Sequence, residues 1–551
     1  MTRPLTYLGI AAWVVTMTIL VHRSYLQAST ANLATDLARY GPTATWSGVY
    51  YRGEKIGFTV SQTTRTDEGF ELQQDGQLQM LLLGQDTAAA VRTTARVDQS
   101  FVLRSFEFSL DPGTGPTVVT GVITPRGSGA PADTPTKGNP PPTLYQLTFT
   151  VTAGGSTRTE MRELHEPPVI PLNLPRVLAS GRLVTGSTHS WMVLDPATLH
   201  AARMTVHVGE RAIVRTGEAA VPAFKLEMEF QGLRTTSWVT DTGDVVREES
   251  PLGLMTIRET AERAQRLAVP DRIQSDLLRA SAIVPRMRQR IDDPRNVRRL
   301  RVRLAGGEIP RVDMNGAGQF IEDDVIEIRD VRSLRGTALD LDLDRYLGPE
   351  TFIESEAPEI VAETQQALRA VPPDGTDRAR AEQLVRYVNV LLEKKPTVSL
   401  PSAKEVLRTK VGDCNEHTAL YVAMARAAGL PARIAVGVVY MHGAFYYHAW
   451  PEVYVRDAPD RGLWLPVDPT LNQFPADATH LRLARGSLDK QSAIVPLLGR
   501  LQMDVLDVEF VPGSTPVLVG RELQADDLDL AVPLVAPPRE ASGGCRCPDS
   551  R

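Results

Sequence analysis

Cysteine is scarce in this chain: Cys414, Cys545 and Cys547 are the only three in 551 residues. Three thiols cannot build a disulfide framework, so the fold must rest on buried apolar cores. Aromatic residues make up only 6%. No basic run stands out and the formal net charge is -6, which argues against a nucleic-acid partner. There is no Gly-rich phosphate loop, no HExxH helix, no paired-carboxylate motif and no internal repeat. No cofactor and no metal is expected. His165, His189, His200 and His207 are scattered among strands and loops and read as structural or exposed. Cys545 and Cys547 sit in the tail ASGGCRCPDSR, where two ligands would make a weak metal site, and the tail reads as disordered.

Long apolar runs are nearly absent too. The exception is Leu5 to Val21, 17 uncharged residues between Arg3 and His22-Arg23. That length is at the short limit of a spanning helix and exceeds a signal-peptide core. Leu26 also spoils the cleavage site that would end at Ala28. The expectation is an uncleaved single-pass transmembrane anchor over 1–24, followed by a linker over 25–45. The slight charge bias leans toward export of the large C-terminal part, which in a bacterium means the periplasm.

At 42% hydrophobic and 23% charged, the chain is long enough for about three or four domains. Residues 46–262 show short alternating segments punctuated by Arg52-Gly53, Glu68-Gly69, Asp75-Gly76 and similar turns, the pattern of an antiparallel β-rich domain. It carries no catalytic spacing and is free to bind an unknown protein partner. Its Pro/Gly-rich insert at 125–142 reads as a mobile loop. Residues 263–350 read as a connecting helix over 263–295, with Leu277, Leu278, Ala282, Ile283 and Met287 on its stripe, then a small β segment containing RLRVRLA and DVIEIRDV. Amphipathic helices come next over 357–370 and 377–393, and Ser402 with Glu405 marks a third. Residues 351–500 form the candidate catalytic domain, and 501–551 a C-terminal strand and flexible tail.

Within that domain, Cys414, His448 and Asp468 occur in order inside 55 residues. Thiol catalysis needs a nucleophile, a base for its proton and a group that orients the base. Asp413 and Glu416 have the spacing of a capping box, so Cys414 falls in the first turn of a helix that Gly429-Leu430-Pro431 ends. There the helix dipole is expected to lower the thiol pKa, and backbone N–H groups could receive an oxyanion. His448 lies on a strand, Phe445 to Val455, on one face with Trp450, Glu452 and Tyr454. A polar turn leads to a second strand, Leu463 to Val467, which delivers Asp468 beside the imidazole. Trp450 and Trp464 read equally as site lining or as core.

These surroundings resemble the transglutaminase-like superfamily, a papain-related group. The matching features are Gly412-Asp413-Cys414, Gly429-Leu430-Pro431-Ala432-Arg433, His448-Ala449-Trp450-Pro451-Glu452-Val453, and Trp464 before Asp468-Pro469-Thr470. The resemblance implies an α+β catalytic domain, helices first and β-hairpin after. It also implies Cys414 as nucleophile, His448 as general base and acid, and Asp468 as orienter. The extra oxyanion donor that some members supply upstream is not filled by Lys404, Thr409 or Lys410, and that role stays open. The implied chemistry is acyl transfer on peptide or protein amides through a thioester, with hydrolysis favoured over cross-linking because water is abundant. The alternative is a catalytically idle, membrane-anchored binding or scaffold protein.

Overall fold

Short alternating segments separated by Gly-containing turns fold locally into hairpins, and hairpins added edge to edge make a meander. The first unit of the chain is built this way. The computed structural model describes residues 37 and 40–518, apart from 83, 127–143, 218, 251–252, 268–275, 308–313, 339, 341, 487–493, 495–496 and 513–516. The expected anchor at 1–24, the insert beyond Arg126 and the tail with Cys545 and Cys547 lie outside the described residues. Among the described residues, no helix is long and apolar enough to cross a membrane.

The chain divides into two compact units, one mainly below residue 273 and one mainly from 274 onward. In the first, fourteen described strands form one sheet. Eight strands meander outward from Thr45–Tyr51 to Ser156–Leu164, and six return from the opposite edge, Thr188–Asp195 to Leu254–Glu259. The last pairs antiparallel with the first, Trp46 opposite Glu259 and Tyr51 opposite Leu254. Alternation decides the burial: in Leu103–Asp111, Phe106, Phe108 and Leu110 are buried while Arg104 and Glu107 are exposed. A short helix, Leu174–Ala179, covers part of the sheet with Leu174, Val177 and Leu178.

The second unit contains helices and, among the described residues, two antiparallel sheets of more than two strands. One sheet has four strands in the order Gln319–Glu322, Val325–Arg329, Val297–Ala305 and Gln502–Phe510. The other has five, in the order Thr337–Ala338, Arg461–Pro466, Ala444–Ala458, Ala432–Met441 and Leu481–Arg485. Helices Pro358–Leu368, Asp377–Leu391 and Ala403–Thr409 pack around a fourth, Cys414–Ala427, which is buried from Glu416 to Arg426. The helices precede four of the five strands of that sheet in sequence, the short Thr337–Ala338 alone coming earlier; this is an α+β arrangement, although the described residues hold more strand than helix. Ala432–Met441 is buried almost throughout, so a period of two is silent there.

Among the described residues, the connecting helix expected over 263–295 is not continuous. The described residues give only Ala261–Gln265 and Leu277–Ala280, then irregular chain with a two-residue strand at Gln289–Arg290. Pro285 and Pro294 lack the N–H that a helix ladder requires. The apolar residues of the supposed stripe, Ile283 and Met287, instead enter the core of the four-stranded sheet.

Candidate active site

Gly412, Asp413 and Cys414 are fixed by the start of one helix. The Asp413 side chain accepts the Asn415 N–H at 2.9 Å, and Glu416 Oε2 accepts the Asp413 N–H at 2.9 Å. The Asp413 side chain also accepts the Glu416 N–H, so both halves of the capping box are made. A side chain at Gly412 would bring Cβ to 2.2 Å from Glu416 Cβ, which explains the glycine. Residues Glu393–Lys394 pair in parallel with Val411–Gly412 and run beside this turn.

Cys414 is half-buried at the first helical position. The helix packs on strand Ala444–Ala458, and the thiol receives the backbone N–H of Ala449, the residue after His448. The expected lowering of the thiol pKa is reversed. Burial pushes it well up, the Asp413 charge adds to this, and the Ala449 N–H offsets only part; Glu416 and Asp468 push it further. Burial is the main cause and the cap adds to it, because carboxylates stand at the amide end that would have served a thiolate. Asp413 is itself pushed above the ordinary carboxylate range by burial and by Glu416.

His448 lies opposite Gly437 in the neighbouring strand, and its Nε2 meets Asp468 Oδ2 at 2.8 Å. Nδ1 is the ring nitrogen that Asp468 does not engage. Strands Ala444–Ala458 and Arg461–Pro466 pair antiparallel up to Glu452 opposite Pro466, which sets Asp468 just beyond the hairpin's end. The Asp468 turn is braced from all sides. Asp468 and Gln473 exchange two backbone hydrogen bonds, Oδ1 accepts the Leu471 N–H at 2.9 Å, and Asn389 and Arg386 reach across from helix Asp377–Leu391 to the carbonyls of Pro469 and Asn472. Burial alone would raise the Asp468 pKa, yet the charge and hydrogen bonds of His448, and then His480, hold it well below the ordinary carboxylate range.

Trp450 is core, not an open wall: its ring is buried, 6.1 Å from the His448 ring and 5.2 Å from that of His480. Trp464 instead stacks under the Arg433 guanidinium at 3.8 Å and donates to Asp340. Glu452, also on the His448 face, is buried against Arg482, Arg485 and Arg433, whose charges hold its pKa far down against the effect of burial.

Two residues near the site carry no sequence signal. Lys394 is half-buried; burial lowers its pKa and the nearby Asp468 charge offsets part of this. His480 is buried against the far side of Asp468, with Nε2 at 3.1 Å from the same Oδ2 that His448 uses. Its only marker in the sequence would have been a histidine twelve positions after Asp468, in a stretch without a motif. The ligand atoms of His448, Asp468 and His480 lie within 4.8 Å of one another, but at 2.8 and 3.1 Å they spend their lone pairs and protons on each other.

Residues 364–469 match the model of the transglutaminase-like superfamily. This segment belongs to that superfamily. It contains Cys414, His448 and Asp468 and stops short of His480. No curated protein matches the chain. Among solved structures, similarity is found to a candidate cysteine protease from Cytophaga hutchinsonii, at 14% identity over 40% of this chain and 89% of that one, with a TM-score of 0.26. The periplasmic domain of TgpA from Pseudomonas aeruginosa, bound to ethylmercury, matches at 17% identity over 33% of this chain and 93% of that one, TM-score 0.19. A candidate protease from Parabacteroides distasonis matches at 11% identity over 63% of this chain and 66% of that one, also at 0.19. At such scores the functional reading rests on this chain's own residues.

Proposed function

We propose that the transglutaminase-like domain catalyses thiol-dependent acyl transfer on peptide or protein amides, with hydrolysis as the normal outcome. The observation that carries this reading is the buried His448–Asp468 pair, 2.8 Å apart, with His448 on the strand whose Ala449 N–H points to Cys414.

The raised thiol pKa sets the order of events. A thiol that does not ionise on its own needs its proton taken as it reacts, and His448 Nδ1 is the acceptor. Sγ then forms a bond to the amide carbon and the carbonyl π pair moves to oxygen. The cap carboxylates engage the N–H groups of Asp413, Asn415 and Glu416, so the Cys414 N–H is the donor assigned to that oxyanion. Collapse breaks the C–N bond, and His448 returns the proton to the departing amine. Water attacks the thioester with His448 again as base, releasing the acid and the thiol. Asp468, anionic throughout, keeps the imidazole in the tautomer that leaves Nδ1 free and stabilises the imidazolium.

The test is turnover of a peptide library by the full chain, with and without a primary amine. Cys414→Ala and His448→Ala should each abolish turnover, and the pair together should lose little more than either alone. Asp468→Asn should lose roughly ten- to a thousandfold, about 1–4 kcal/mol of barrier. Free acid as the main product supports hydrolysis; amide-linked amine as the main product would replace it with cross-linking. Turnover that survives Cys414→Ala would sink the thiol mechanism.

A further inference from the structure

Asp468 is shared. Its Oδ2 accepts from His448 Nε2 at 2.8 Å and from His480 Nε2 at 3.1 Å. The second imidazole is anchored in turn: His480 Nδ1 lies 3.3 Å from Asp477 Oδ1 and 3.2 Å from the Asp477 carbonyl. Asp477 is held by Gln473 Nε2 at 2.9 Å, Thr479 N–H at 3.0 Å and Thr479 Oγ1 at 2.6 Å. Gln473 closes the circuit through its two backbone bonds to Asp468. All four side chains, Asp468, Gln473, Asp477 and His480, are buried. The backbone is shaped for this as well. Gly437, opposite His448 in register, would bring a Cβ to 2.0 Å from the Leu481 carbonyl, so its bare backbone admits the segment that carries His480.

We propose that His480 is a positioning residue for the candidate triad: anchored on Asp477, its imidazole pins the Asp468 carboxylate in the orientation that serves His448. The proposal rests on the thiol-triad reading and adds a part that the matched superfamily segment does not contain. The charges explain why such a part is needed. Asp468 and Asp477 are two buried carboxylates a histidine apart, and two such anions would drive one of them to take up a proton. A positive His480 between them leaves one net negative charge, directed at His448. Burial would drive the His480 proton off, but Asp477 and Asp468 outweigh it and push its pKa up to about 9, so the ring is cationic at neutral pH. The titratable and charged groups facing this cluster are His448 on the strand side, Lys394 and His417 near Asp468, and Arg332, whose field reaches Asp477. His480 touches no reacting atom; it acts through Asp468.

The test reads Cys414 alkylation by iodoacetamide in the full chain at neutral pH, resolved by mass spectrometry, alongside thermal unfolding. His480→Phe removes donor and charge, so Asp468 is free to turn or take up a proton, and alkylation should slow about tenfold or more. His480→Gln keeps a donor and should recover at least a few-fold. Adding Asp477→Asn to His480→Gln removes the second anion with the cation, and alkylation should be faster than with His480→Gln alone. A merely structural His480 gives the opposite: the two losses add, and rates follow the folded fraction. Should the variants fail to fold, imidazole nitrogen NMR of the wild type decides. A histidine doubly protonated until about pH 9 is required, and a His480 neutral at pH 7 overturns the proposal. If wild-type alkylation of Cys414 ignores His448→Ala, the triad reading fails. If it depends on His448 but not on His480, only the present proposal fails.

Discussion

At the scale of single residues, the chemistry depends on which charges are buried beside which. His480 has a folded pKa of about 9 against an ordinary 6.5. A raised cationic group stabilises the fold fully below pH 6.5, and that stability is lost as pH climbs through about 9, amounting to roughly 3 kcal/mol at the limit. Thermal unfolding of the wild type should therefore fall between pH 6.5 and 9.5 more steeply than that of His480→Gln, which has no proton to lose. Parallel curves for the two would show that the ring is not held as a cation. Cys414, His448 and Asp468 were legible in the sequence because each sits in a local pattern: a capped helix start, an aromatic strand, an Asp-Pro turn. His480 was not, because its partners come from a turn and a strand that only the fold brings together. The sign of the Cys414 shift was also illegible. A helix N-terminus seen alone favours an anion, and only the packed site shows the burial that outweighs it, with the Asp413 and Glu416 charges adding to it.

At the scale of elements, caps and stripes were reliable where the chain states its own boundaries. Helix Asp377–Leu391 begins with Thr376 accepting the Ala379 N–H, Ala403–Thr409 with Ser402, and Cys414–Ala427 with a complete capping box. The strands at Ala432–Met441 and Leu481–Arg485 were silent, since segments buried on both faces lose the alternation that marks a strand. The connecting helix failed for the opposite reason: an apolar spacing was present, but prolines broke the ladder and the side chains served a sheet. The sharpest element-level prediction concerns Gly412. In Gly412→Ala the added methyl meets Glu416 and must displace half of the capping box. The expected loss is about 1–3 kcal/mol in chemical denaturation, with slower alkylation of Cys414. A variant as stable and as reactive as the wild type would mean that the cap does not hold the nucleophile in place.

At the scale of the whole molecule, the two units have separate cores and different contents. The fourteen-stranded sheet was legible as a β-rich region from its turn punctuation, but its strand order was not, because pairing the first strand with the fourteenth is a contact across more than two hundred residues. Among the described residues, the groups that hydrogen-bond to His448 and Asp468 all come from the second unit. The central claim is that Cys414 is a thiol activated by His448. Its most direct measurement is the rate of iodoacetamide alkylation at each cysteine of the full chain near pH 7, for the wild type and for His448→Ala. A thiol whose own pKa is pushed up by burial should react quickly only through the imidazole. The wild type should then show one fast site at Cys414, slowed roughly a hundredfold in His448→Ala, with Cys545 and Cys547 unchanged. Labelling of Cys414 that is slow in the wild type, or equally fast without His448, would leave a buried cysteine beside an idle histidine.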